Sequence, residues 1–216
     1  GAIERDAGRD KLAAALGLSS AGSERAGAIA GGLYANAYGD SLGQVNEALE
    51  AVGSTLAPID SWATTDAELT ALTAKALDFA TVFGVDVTEA VQRAGSFVEN
   101  GLARDATHAF DLMVDSAQRV PAAMRGDLLE AADEYGKHLA GLGFTGEEAF
   151  ALLVEASKKG PIALDKAGDA IKEFQIRSTD MSATSVDAYK AIGLNAEEMA
   201  GKLLAGGETA RGGFDE

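Results

Sequence analysis

The chain has 216 residues, no cysteine, two histidines and a formal net charge of −16. The lack of thiols excludes disulfides, thiolate zinc sites and cysteine nucleophiles, and the negative charge opposes binding to nucleic-acid phosphates or to an anionic membrane face. Only 6% of residues are aromatic and 26 are glycine, so each side chain buries little apolar area, and no stretch approaches the ~18 uncharged apolar residues of a membrane span.

Two-residue alternation never persists along the chain. Apolar residues recur three or four apart almost everywhere, which predicts an all-α protein. The first long pattern runs from about Ser23 to Leu56, with Ala26, Ala30, Leu33, Ala37, Val45, Leu49 and Val52 on one stripe. It predicts a single helix of roughly 50 Å, or a helical hairpin broken near Gly39-Asp40 with Asp40 capping the second piece. Gly27-x-x-x-Gly31 and Gly39-x-x-x-Gly43 lie in this region and create flat surfaces for close helix approach. Two readings of them remain open: packing within the chain, or self-association of long helices.

Pro58 and the Ser/Thr cluster of "STLAPIDSWATT" mark an internal boundary. Thr65-x-x-Glu68 is a capping-box pattern. The helix that follows, with Leu69, Leu72, Ala76, Phe79, Ala80 and Phe83 on one face, stops at Gly84. A second periodic set is Met124, Leu128, Leu129, Ala132, Tyr135 and Leu139, and "QIRSTDMSATS" (175–185) reads as a loop. The expected organisation is an Ala/Gly-rich helical segment at 1–57, a linker at 58–64, a helical repeat domain at 65–206, and the start of a truncated helix at 207–216. The chain begins with Gly rather than Met and reads as a piece of something longer.

Three stretches resemble one another: "FGVDVTEAV", "LGFTGEEAF" and "IGLNAEEMA". In each, Gly84, Gly143 or Gly193 ends a helix and an apolar residue, such as Phe144, can fold back on the last turn. Asp86, Thr145 or Asn195 then caps the next helix, and Glu89, Glu148 or Glu198 stands three positions later. Each stretch predicts a tight helix–helix joint, with Phe144 a buried plug at the second. In two copies another glycine follows seventeen positions on, at Gly101 and Gly160; in the third, Gly206 comes after thirteen. The fold expected is an irregular array of antiparallel helix pairs joined by these turns, with a long N-terminal helix or helical hairpin.

"GLGFTG" also matches the glycine spacing of a dinucleotide-binding turn. That chemistry needs a strand before it and an anion at the helix start, whereas a helical pattern precedes Gly141, and Glu147 and Glu148 sit where a pyrophosphate would lie. The joint is the better reading, and no cofactor is expected. His108, Asp111 and Asp115 share a helix face, but no fourth ligand or metal motif accompanies them; a solvated face is expected. Carboxylate pairs such as Glu130 with Asp133 and Glu134 are what 34 acidic residues produce by chance and assign no hydrolase.

"FGVDVTEAVQRAGSFVENG", "GLGFTGEEAFALLVEASKKG", "LDKAGDAIKEFQIR" and "IGLNAEEMAGKLLAGGETARGGFDE" resemble the central region of phage tail tape measure proteins, most specifically across Asp165 to Phe174 with Ile176-Arg177. The resemblance covers about residues 64 to 216. It implies a structural virion component in the tail, assembled in the host cytoplasm, which occupies the tube lumen, helps to set tail length and leaves with the DNA at infection. The partners implied are the tail tube protein, tail assembly chaperones and other tape measure copies. Neither direct nucleic-acid binding nor catalysis is expected in this segment. A helical adaptor that grips a peptide and a cell-wall hydrolase stand as alternatives.

Overall fold

The computed structural model describes residues 2–61 and 63–216, with side chains from Gly8 onward; Gly1 and Trp62, the latter inside the expected linker, lie outside the described residues. Among the described residues there are twelve α-helices and no strand. They are α1 Ala2–Leu16, α2 Ser20–Ala35, α3 Leu42–Thr55, α4 Asp66–Phe83, α5 Val87–Glu99, α6 Ala106–Gln118, α7 Arg125–Gly141, α8 Gly146–Ser157, α9 Pro161–Thr179, α10 Ala183–Ala191, α11 Ala196–Leu204 and α12 Gly207–Asp215. The chain divides into two compact units, one of residues 1–95 and 105–110 and one of residues 96–104 and 111–216.

In the first unit, α1 packs on α2 and α3, and α3 on α4. The long stripe resolves as a hairpin. Ala37 (φ 63°) and Gly39 (φ 74°) take left-handed conformations that stop α2, and Ser41, not Asp40, caps α3 by accepting from the Gln44 N–H at 3.2 Å. Asp40 instead donates its own N–H to the Gln44 side chain at 2.7 Å. The break places Leu33, Val45, Leu49 and Val52 in one fully buried cluster.

The loop after α3 is strapped onto the start of α2. Asp60 accepts from the Ser19 N–H at 2.8 Å and from its hydroxyl at 3.1 Å. Arg25 donates to the carbonyls of Ile59 and Thr64 and pairs with Asp66. A Cβ at Gly22 would come within 1.7 Å of an Asp60 carboxylate oxygen, so a larger residue there would push that side chain off the Ser19 cap.

In the second unit, α7, α8 and α9 pack on one another, α11 lies on α9, and α12 folds back on α11. Leu128, Leu139, Leu153 and Leu164 are fully buried among them. The α7–α9 contact is close because the Tyr135 ring lies where a Cβ on Gly168 would sit, 2.1 Å away. Residues 175–185 are mostly helical rather than loop: α9 continues to Thr179 and α10 begins at Ala183. The turn between them holds Met181 at φ 53°, and the Tyr189 hydroxyl donates to the Ser178 carbonyl at 2.9 Å, tying the two helices together.

Candidate functional site

The three glycine joints share one backbone solution. Gly84, Gly143 and Gly193 all have positive φ, at 67°, 82° and 84°, a conformation that costs any residue with a Cβ. Each closes the last turn of its helix: Val85 N–H donates to Ala80 O, Phe144 N–H to Leu139 O, and Leu194 N–H to Tyr189 O. Next, Asp86, Thr145 and Asn195 accept from the backbone N–H of Glu89, Glu148 and Glu198, at 2.9, 3.2 and 2.9 Å.

The carboxylates then diverge. Glu148 reaches back to the Thr145 N–H at 3.0 Å and completes a reciprocal capping box. Glu89 pairs with Arg93 at 2.7 Å and Glu198 with Lys202 at 3.1 Å, one turn further along their own helices. Gly101, Gly160 and Gly206 also have positive φ and lead into α6, α9 and α12.

The Gly143 joint alone is closed by another backbone. A Cβ at Gly143 would lie 2.2 Å from the Gly207 carbonyl and 2.8 Å from the Arg211 nitrogen of α12. At Gly84 and Gly193 it would meet nothing within 4 Å. The Arg211 guanidinium sits 4.4 Å above the Phe144 ring and 3.6 Å from Glu148. Phe214 packs edge-on against both Phe144 and Phe174, at 5.3 Å in each case. Phe144 is therefore half-buried rather than a buried plug; Leu142, 1% exposed, fills the interior. The sequence around Phe144 gives no sign of this, because its cover comes from residues about seventy positions away.

All three glycines of "GLGFTG" are backed by protein. A Cβ at Gly141 would meet the Gln175 amide at 2.2 Å, and one at Gly146 the Leu102 carbonyl at 2.2 Å. The space a pyrophosphate would need next to a dinucleotide turn is filled by α9, α12 and the segment around Leu102.

Gly27, Gly31, Gly39 and Gly43 do not form one face. Gly27 and Gly31 lie on α2, where Gly27 faces the Arg9 side chain and Gly31 is open. Gly39 stands in the break, against Val45 and Leu77, and Gly43 is in the first turn of α3. The break that makes the hairpin separates the two Gly-x-x-x-Gly pairs.

Glu130 and Glu134 line an acidic groove with Asp127, Asp165 and Asp169, whereas Asp133 accepts a hydrogen bond from Ser96. Tyr135 donates to Asp169 at 3.2 Å. Burial, that hydrogen bond and the nearby Glu134 and Asp165 carboxylates push its pKa up to about 12. The expected solvated face of α6 is only partly solvated: Asp111 and Asp115 are exposed, but His108 is 8% exposed. Residues 108, 112 and 116 edge the arc of α6 that carries the buried Ala109, Phe110, Met113 and Ala117. Among the described residues no group of acidic and histidine side chains could hold a metal ion, and no helix is long and apolar enough to cross a membrane.

Comparison with known proteins matches residues 33–212 to the phage-related minor tail protein family. The chain is also 36% identical, over all 216 of its residues, to a probable tape measure protein of Streptomyces phage phiC31, of which it spans 29%. No solved structure matches it.

Proposed function

We propose a role that starts from one fact: the chain belongs to the phage-related minor tail protein family, and so is part of a bacteriophage tail protein. Its role is that of a tape measure segment. Several copies run along the lumen of the growing tail tube, their length helps to set tail length, and they leave with the DNA at infection. The segment is assembled in the host cytoplasm, meets the tube protein, tail assembly chaperones and other tape measure copies, and performs no chemistry of its own.

The observation that carries this reading is the 36% identity to the phiC31 protein, which extends over the whole chain. The all-helical build supports it, because a helix converts residue number into length at a fixed 1.5 Å per residue. The net charge of −16 supports it as well, since like charge discourages adhesion to DNA sharing the same channel.

The test is an in-frame deletion of this segment in the phage. For 216 residues laid out as helix, tails in electron micrographs should shorten by up to about 320 Å. Tails of unchanged length would overturn the reading. Duplex DNA at low salt should not bind the isolated segment; micromolar affinity would remove the charge argument.

A further inference from the structure

The pair formed by α11 and α12 has the parts of an exchangeable arm. The two helices meet at Gly206 and Gly207, whose φ values of 72° and 54° are both left-handed, and a Cβ at either would meet nothing within 4 Å. Only backbone conformation, not packing, demands glycine there. The residues flanking this hinge are those of a single helix. Ala196, Met199, Ala200 and Leu203 are the buried positions of α11, and Ala210 is the central buried position of α12. If the helix continued through the hinge, Ala210 and Phe214 would fall on the same stripe, seven and eleven positions after Leu203. The straight form is a twenty-residue amphipathic helix of about 30 Å.

The place that α12 occupies is a built receptor. Gly143 lets the α12 backbone approach, Phe144 and Phe174 take Phe214 edge-on, and Phe144 with Glu148 takes Arg211. Glu216 returns to Lys202 at 2.6 Å and holds the arm closed. Every one of these contacts can be made equally well by an α12 that arrives from another molecule, because only the hinge differs between the two arrangements.

We propose that α12 is exchanged between two copies of this chain. Gly206 and Gly207 straighten, α11 and α12 become one helix, and each α12 seats on the Gly143 joint of the other copy. The occupant of the receptor is thus either the chain's own α12 or the same helix of a second copy. This inference is independent of the tail role.

The test uses the whole 216-residue chain and the variant Gly206→Ala/Gly207→Ala. Left-handed backbone disfavours alanine by roughly tenfold at each position, and the dimer relieves two such positions in each of its two copies, so the monomer–dimer equilibrium should move about ten-thousandfold toward dimer. Light scattering after size exclusion reads this across a dilution series, and far-UV circular dichroism should show helix content retained. In that background, Phe144→Asp and Phe214→Asp should each abolish the dimer. Mixing these two variants should restore a heterodimer, because one intact arm meets one intact receptor. A double-glycine variant that keeps wild-type mass at all concentrations overturns the proposal. So does a dimer that survives both Asp substitutions, or a mixture that stays monomeric. If the double variant loses helix content, Gly206→Ala alone is judged by the same outcomes.

Discussion

Residues 125–179 and 183–215 follow the same plan and reach different ends. Each is a helix, a left-handed glycine, a cap, a second helix, another left-handed glycine and a third helix. The packing is not shared. In the first, α7 has seventeen residues and buries seven of them; in the second, α10 has nine and buries none. Leu142 is 1% exposed and its counterpart Ile192 71%; Val154 is 3% exposed and its counterpart Leu204 71%. Helix length accounts for this. The nineteen residues of α9 cover both α7 and α8, whereas the nine of α12 lie on α11. Joint geometry is written locally, but stability comes from the apolar area that a third helix long enough to span both partners can cover.

Substitutions at matched positions put this contrast to measurement. The largest difference should come from the apolar residue before the glycine. Leu142→Ala should cost about 3 kcal/mol of unfolding free energy in urea, while Ile192→Ala should cost about 0.5 kcal/mol or less. Similar losses at the two sites would mean that α10 is packed as firmly as α7. The glycines come next. Gly143→Ala adds a backbone collision to its φ penalty and should cost roughly 2–3 kcal/mol, against about 1 kcal/mol at the open Gly193.

Part of this is legible in the sequence and part is not. The all-α class follows from apolar spacing, and a capping pattern involves residues three or four apart, so both lie within reach of a local reading. The hairpin was legible as one of two options, because Gly39 marks a break. That Ser41 rather than Asp40 caps α3 depends on which of two adjacent residues begins the helix, and both are good capping types. The Asp60–Ser19 and Arg25–Asp66 links join residues 41 positions apart and have no sequence signature. The partial cover of Phe144 by Arg211 and Phe214, and the burial of His108, likewise depend on which helix arrives from a distance.

The caps should show a smaller contrast. Thr145→Ala removes the hydroxyl that accepts from the Glu148 N–H, leaves the return bond from the residue-145 N–H to Glu148 in place, and should cost about 1–2 kcal/mol; Asn195→Ala removes a cap with no return bond and should cost about 1 kcal/mol or less. Hydrogen exchange should report the second loss locally, at the start of α11.

A further effect is tied to pH. Tyr135 is held neutral in the folded chain with a pKa of about 12, against an ordinary 10.0. Its contribution is complete below pH 10 and is lost as pH rises from 10 through 12, because the unfolded chain gives up that proton first. Wild-type stability should therefore fall over that window more steeply than that of Tyr135→Phe. Equal slopes would show that the α7–α9 contact does not depend on the neutral phenol.

Asp60 carries a last consequence. The start of a helix attracts anions, since its free N–H groups point outward and its dipole is positive there. At α2 that position is already taken by the chain's own carboxylate, on the Ser19 amide and hydroxyl. Asp86 and the Thr145–Glu148 pair do the same at α5 and α8. At these three helices an approaching phosphate would meet the chain's own carboxylates first.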